Sequence, residues 1–223
     1  MTVTLIFLAF LMASVVAWLI KQSINTQPWA EVGVLEEEDA KSRVYLPAKK
    51  IVLGGFLAVV TSLFMLLISA YRIRMEYPDW SPFHGPDNIL WINTGLLILA
   101  SIFYQKAKSS AARNDDKGTR IGLLLAGAFT FSFLYGQFIA WKDMIDQGMF
   151  IYTSPANAFF YVITFLHAAH ILGGLWVWGR STIKVLAGPE EEDNIKLSVD
   201  LCAIYWHFLL IIWLIMFYLL LST

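Results

Sequence analysis

Apolar residues are grouped along this chain into long runs that short polar stretches separate. A helix that crosses a bilayer needs about 20 mostly apolar residues, because the hydrocarbon core is about 30 Å thick. Six runs meet or approach this length, and we predict a transmembrane helix in each. They cover residues 3–20, 51–71, 89–104, 121–141, 158–178 and 201–221.

The first run is predicted to be a retained helix, because nothing basic precedes it and Lys21 follows it. A cleaved signal peptide has the opposite polarity. We therefore expect a transmembrane helix at 1–22, a cytoplasmic linker at 23–49 and a five-helix membrane domain at 50–223.

Lysine and arginine are distributed unevenly among the connecting segments. Thirteen of them lie in 21–50, 105–120 and 179–198, and three lie in the alternate segments. Because basic residues favour cytoplasmic loops, both chain termini are predicted to face outward. All charged residues lie outside the predicted spans, with Lys142 and Asp200 at their edges. This distribution argues against a transporter, which needs ionisable groups at membrane depth.

The amino-acid composition also indicates an integral membrane protein. Hydrophobic residues make up 58% of the 223 residues and charged residues only 15%. A soluble domain has about a quarter charged residues, so an ordinary soluble enzyme is excluded. The net charge of −1 gives no basic surface for nucleic acid. Cys202 is the single cysteine and lies in an apolar run, so we interpret it as a packing residue.

Three histidines lie inside predicted spans. His167 and His170 are three residues apart and share a helix face, and His207 lies in the last span. Imidazole is the commonest nitrogen ligand of metals, so one hypothesis is a metal or haem site. The alternative is that neutral imidazoles form hydrogen bonds between helices. No carboxylate or thiolate in the predicted spans completes a ligand set, which favours the alternative.

Small residues predict where helices approach closely, since membrane helices pack through such positions. Gly122 and Ala126 form one such pair, and Ala169 and Gly173 form another. The proline-rich segment 77–86 is expected to be extended, with Trp80 and Phe83 in the headgroup zone. Ser154 followed by proline predicts a helix start.

Several motifs occur in order along the chain. The fifth span combines Phe160-Tyr161 with Thr164, His167 and His170, and the sixth has Tyr205-Trp206-His207-Phe208 followed by Trp213. These motifs resemble the signatures of subunit III of haem–copper terminal oxidases. Further matches to that family are Phe56, Phe64 and Tyr71, then Asn93-Thr94 with Leu96-Leu97, and Gln137 with Trp141. The resemblance extends from about Lys50 to the C-terminus.

The resemblance implies an all-α integral membrane protein, namely the five-helix subunit III core plus one N-terminal helix. It implies a non-catalytic subunit of a proton-pumping cytochrome c oxidase in aerobic respiration. Haem and copper would belong to the partner subunits I and II, so this chain would hold no cofactor or metal. It would stabilise subunit I and bind phospholipid, in a bacterial cytoplasmic (inner) membrane. The electron donor would be cytochrome c or quinol.

Nine residues are expected, from the resemblance, to have structural roles or to lie near the lipid cleft. They are Tyr71, Asn93, Thr94, Gln137, His167, His170, Trp206, His207 and Trp213.

Some family positions differ in this chain. Carboxylates are common there at positions that are here Val59 or Val60, Ala140 and Leu210. The scaffold and lipid roles are therefore favoured over proton conduction. Alternatives are a quinol oxidase subunit III, the subunit-III-like protein of a nitric oxide reductase, and a stand-alone membrane haem or metal protein.

Overall fold

The computed structural model describes residues 48–83, 85–187 and 192–222, and five α-helices occupy most of that part of the chain. All five are long and apolar enough to cross a membrane. They confirm five of the predicted spans, whereas the span predicted at 3–20 lies outside the described residues. In chain order they are α1 (Ala48–Met75), α2 (Asp87–Ala112), α3 (Asp116–Asp146), α4 (Pro155–Ala187) and α5 (Glu192–Leu221).

Four of these helices form a closed set of contacts. α2 packs on α3, α3 on α4, α4 on α5, and α5 on α2, while α1 contacts α4 and α5. The core between them is rich in large aromatic side chains, including the fully buried Phe133, Trp206 and Trp213. Most of α1 is exposed, with Val60, Phe64 and Tyr71 as its buried residues.

Short polar segments end the helices where the sequence contains capping residues. The Asp115 carboxylate accepts a hydrogen bond from the Gly118 amide at 3.0 Å and caps α3. The Ser154 hydroxyl accepts one from the Asn157 amide at 3.2 Å. The predicted helix start at Ser154 is therefore confirmed.

The segment between α1 and α2 packs more closely on the bundle than predicted. The Trp80 ring lies 5.0 Å from that of Tyr71, and the Phe83 ring stacks 4.7 Å from Phe160. Both side chains are half-buried against helices. Their placement in the headgroup zone stays a prediction. Arg74 binds the Asp79 carboxylate, and this hydrogen bond holds the pKa of Asp79 below its usual range.

The helices are longer than the predicted spans, because their polar ends continue the helical backbone. Lys106, Lys108 and Asp143 all lie within helices. Asp200 lies eight positions after Glu192, the first residue of α5, and its side chain is only 16% exposed. Asp200 thus stands directly before the predicted span 201–221, in the part of α5 that precedes the apolar run.

Candidate functional site

Tryptophan–threonine pairs join the helices in the described part of the chain. The Trp213 indole N–H donates to the Thr94 hydroxyl at 2.9 Å, which joins α5 to α2. Two further pairs have the same chemistry, Trp206 with Thr130 at 3.0 Å and Trp141 with Thr164 at 3.0 Å. These pairs join α5 to α3 and α3 to α4.

Each threonine of these pairs also donates its own proton within its helix. The hydroxyls of Thr94, Thr130 and Thr164 bond carbonyl oxygens four residues earlier, at 2.8, 2.8 and 2.6 Å. The hydroxyl oxygen is thus oriented to accept the indole proton. Because a bilayer core offers no water, satisfying both groups internally avoids a cost of several kcal/mol. These contacts therefore select one packing of the helices.

Asn93 and Gln137 form a buried polar contact between α2 and α3. The Asn93 side-chain nitrogen donates to the Gln137 side-chain oxygen at 3.4 Å, and both residues are buried. Gly136 makes room for this contact, since a Cβ there would lie 2.0 Å from the Asn93 oxygen. Both residues were predicted from the resemblance, and the structure brings them together.

The three span histidines have separate surroundings. His167 is fully buried among the rings of Phe64, Phe133 and Trp213, with centroid separations of 6.3, 5.9 and 5.2 Å. The His170 Nδ1 lies 2.6 Å from the Leu166 carbonyl oxygen, in its own helix.

His207 bonds a different helix from the other two. Its Nδ1 pairs with the Ser101 hydroxyl, and its Nε2 lies 3.1 Å from the Gln105 side-chain oxygen, both on α2. Among the described residues, no three histidine, cysteine, aspartate or glutamate side chains are grouped to hold a metal ion. Hydrogen bonding between helices, the alternative raised for these histidines, is observed at His207 but, among the described residues, not at His167 or His170.

Two lysines and one aspartate form an ion cluster at one end of the bundle, which we call the Asp200 cluster. The Lys50 ammonium lies 2.6 Å from one Asp200 oxygen, and the Lys108 ammonium lies 2.7 Å from the other. The cluster joins the start of α1, the end of α2 and the start of α5. The single carboxylate is thereby paired with two ammonium groups at the edge of the apolar core, and the cluster keeps a net positive charge.

The small residues divide into packing and non-packing positions. A Cβ at Gly122 would lie 2.9 Å from Ala107, so α2 and α3 approach closely there as predicted. A Cβ at Gly173 would meet nothing within 4 Å. The close contact between α4 and α5 is made instead by Gly174, whose Cβ would lie 2.5 Å from the Tyr205 ring. The prediction for Gly173 as a packing position is therefore wrong.

A cleft of about 650 Å³ opens between α1, α4 and α5. Phe56, His170, Gly173 and Tyr205 contribute to its mostly apolar lining, and Lys49 lies at the end where α1 begins. Lys49 is exposed and has no ion pair with the described residues. An apolar cleft with a cation at its end can accept an acyl chain and an anionic headgroup.

Tyr71, Trp206 and Trp213, which the resemblance gives as structural candidates, are all buried in the bundle. Sequence reasoning missed the partners of Trp206, Trp141 and His207 and the residues of the Asp200 cluster. A polar residue inside an apolar run is the signal that indicates such partners. A polar residue in an apolar run does not, however, indicate which residue of another helix will be its partner. The missed partners are Lys50, Ser101, Gln105, Lys108, Thr130, Thr164 and Asp200.

These features define a class of protein, a multi-pass membrane protein whose helices are joined by buried polar contacts. Five helices that can cross a membrane, linked to one another by aromatic and polar side chains, are typical of a packed multi-pass membrane protein. Comparison with known proteins makes the class specific. No protein-family model matches the chain.

Several curated relatives carry one name. Cytochrome c oxidase subunit 3 of Synechocystis sp. is 27% identical over 170 residues, covering 73% of this chain and 70% of the relative. The protein of that name from Thermostichus vulcanus is 28% identical over 181 residues, covering 79% and 83%. The probable cytochrome c oxidase subunit 3 of Mycobacterium leprae is 31% identical over 131 residues, covering 56% of this chain and 61% of that relative.

The chain is thus a homologue of cytochrome c oxidase subunit 3, which confirms the resemblance to subunit III of haem–copper terminal oxidases. It is a transmembrane protein of the respiratory terminal oxidase type. In the match to the Mycobacterium leprae protein, the chain spans less than two thirds of that relative's length.

Proposed function

We propose that this chain is the non-catalytic subunit III of a proton-pumping cytochrome c oxidase. Haem and copper would lie in subunits I and II, and this chain would stabilise subunit I. The observation that carries the proposal is the similarity to curated proteins named cytochrome c oxidase subunit 3, over about three quarters of this chain. In such a complex the electrons come from cytochrome c and reduce dioxygen.

Purification of the complex through a tag on this chain tests the proposal. We expect a large haem- and copper-bearing subunit to co-purify and to give a haem absorption band. The His207→Ala and His167→Ala variants should leave that band unchanged, because neither side chain would bind haem. A colourless chain that purifies alone would refute the proposal, and loss of a haem band in either variant would refute the non-catalytic role.

The identity of the co-purifying subunits separates the related alternatives. A partner with a copper-binding domain and a cytochrome c donor is expected. A complex that accepts electrons only from quinol would instead indicate a quinol oxidase. A complex that reduces nitric oxide would indicate the subunit-III-like protein of a nitric oxide reductase.

We also propose that the cleft between α1, α4 and α5 holds an anionic phospholipid, with its headgroup at Lys49. The apolar lining and the unpaired ammonium support this proposal. On the cytoplasmic face, where the basic loops are expected, anionic lipids are attracted to lysine. The cleft would thus bind one lipid molecule to the helix bundle.

A cleft-filling substitution tests the lipid proposal. Gly173→Leu places a side chain in the open cleft, so the purified complex should lose bound phospholipid, measured by mass spectrometry of extracted lipid. Gly179→Leu is the matched control, because a Cβ there also meets nothing within 4 Å but Gly179 is not among the cleft residues. Equal lipid content in the two variants would contradict the proposal.

A further inference from the structure

The surface of the bundle has an unusual tyrosine on α3. Among the described residues, the exposed tyrosines are Tyr77, Tyr135, Tyr152 and Tyr218. Tyr77 and Tyr152 lie in connecting segments, and Tyr218 lies near the end of α5. These three positions fit the preference of tyrosine for the two membrane interfaces. Tyr135 does not, because it lies well inside α3.

The depth of Tyr135 follows from the charges at the ends of the apolar part of α3. The uncharged run between Arg120 and Lys142 is about 31 Å long at 1.5 Å per residue, which matches the hydrocarbon thickness. Tyr135 lies about 10 Å along the helix from Lys142. Helical side chains tilt toward the N-terminus, so the hydroxyl is directed further toward the membrane centre.

The Tyr135 hydroxyl has no hydrogen-bond partner in the part of the chain that the structure describes. The residue is 69% exposed. In contact with lipid tails, this hydroxyl would remain unsatisfied at a cost of several kcal/mol. A protein neighbour that offers a polar group at this depth removes that cost.

Tyr135 borders a groove of about 550 Å³ between α2 and α3, which we call the α2–α3 groove. Ile92 and Leu96 line it from α2, and Phe131, Ser132 and Gly136 line it from α3. Ser132 is small and exposed, so another helix can approach the α3 backbone closely there, whereas the space beside Gly136 is taken by the Asn93 amide. The exposed Ser132 hydroxyl lies on the same helix face, three residues from Tyr135.

We infer that the α2–α3 groove binds a transmembrane helix from another membrane subunit of the oxidase, which forms a hydrogen bond with the Tyr135 hydroxyl. This inference rests on the proposed function, because it requires that complex. Beyond the proposed function, it identifies the α2–α3 groove as the surface that faces the partner subunit, and the Tyr135 hydroxyl as the group that binds it. Purely apolar lipid tails do not supply such a group.

Photo-crosslinking in the assembled complex tests the groove. A benzophenone amino acid replaces Tyr135, the membranes are irradiated, and the cross-linked product is identified by mass spectrometry. We expect a covalent link to another membrane subunit of the oxidase. Links to lipid alone, to a second copy of this chain or within this chain would each overturn the inference.

The conservative variant Tyr135→Phe tests the hydrogen bond. It removes only the hydroxyl, so we expect about threefold weaker retention of this chain by the haem-bearing subunits during detergent washing. Tyr218→Phe is the matched control, since Tyr218 is also 69% exposed but lies near a helix end. Equal retention of the two variants would overturn the proposed bond.

The wild-type chain distinguishes the two possible failures. If it retains no haem-bearing subunit, the proposed function itself is wrong, and the inference is refuted with it. If it retains that subunit but Tyr135 cross-links to no partner, the inference alone is refuted.

Discussion

Single hydroxyl groups determine how the helices meet in this bundle. Each paired threonine donates to a carbonyl in its own helix and accepts from an indole of a neighbouring helix. In water such a hydroxyl would contribute little to the choice of a packing partner. Within a membrane the unsatisfied alternative is costly, so one hydrogen bond favours one helix arrangement.

The Thr130–Trp206 pair gives a direct test at the residue scale. Thr130→Val keeps the shape of the side chain but leaves the buried Trp206 N–H without an acceptor. We expect the free energy of unfolding to fall by about 1 kcal/mol, measured by denaturation of the purified protein in detergent.

Thr61→Val is the matched control for that experiment. The Thr61 hydroxyl also bonds a carbonyl four residues earlier, at 2.7 Å, and no bond to another helix is seen for it in the described residues. If the two variants lose the same stability, the indole contact contributes nothing.

Asp200 gives a second test at this scale. Asp200→Asn leaves Lys50 and Lys108 close together without their shared carboxylate. The side chains of the cluster are 16–41% exposed, so we expect a loss of about 2 kcal/mol, between the values for surface and fully buried pairs. Denaturation at low and high salt measures it, and added salt should narrow the difference from the wild type.

Asp146→Asn serves as the control for Asp200. Asp146 is exposed at the end of α3 and has no ion pair within the described residues. Its substitution should leave stability unchanged within about 0.5 kcal/mol. Similar effects from both variants would show that the Asp200 cluster does not stabilise the bundle.

At the scale of helices, two adjacent glycines on α4 have opposite surroundings. Both glycines line the cleft, but a Cβ at Gly174 would meet the rings of Tyr205 and Trp206 on α5, whereas a Cβ at Gly173 would meet nothing within 4 Å. A helix turns by about 100° per residue, so neighbouring positions face different directions. Four-residue spacing in the sequence identified the correct helix but selected the wrong glycine.

Alanine substitutions distinguish these two glycines. Gly174→Ala should destabilise the bundle by about 1–3 kcal/mol, because its Cβ would be forced against an aromatic ring. Gly173→Ala should be neutral or slightly stabilising, since alanine favours helix and nothing obstructs its Cβ. The yield of folded protein and its thermal unfolding measure both effects, and the reverse order would contradict the assigned contacts.

At the scale of the whole molecule, the charge bias predicts the orientation of the chain. Cysteine labelling in intact cells tests it, and the native Cys202 gives little background because it is 2% exposed. Tyr152→Cys should react with a membrane-impermeant maleimide from outside, and Lys117→Cys should react only after the cells are permeabilised. The opposite result would invert the predicted topology.

The membrane class and the approximate position of five spans were predictable from sequence. The free energy of transferring a segment from water to lipid depends on its local composition. A run of about 20 mostly apolar residues is long enough to span the bilayer and apolar enough to favour insertion. The ends of the helices were less predictable, because polar residues such as Lys108 continue the helix beyond the apolar run. Motif matches also singled out Asn93, Gln137 and Trp213, which the structure places in buried contacts between helices.

The sequence by itself determined that this chain is a membrane protein of several spans and a relative of terminal oxidase subunits, since both depend on local composition and residue order. Only the tertiary structure decided which polar groups pair, as with Trp206 and Thr130, or Asp200 with two lysines. It also decided that Gly174 packs while Gly173 lines a cleft. The physical reason is that all helices present similar apolar surfaces to lipid, so the few polar and small positions select partners only when the helices are placed side by side.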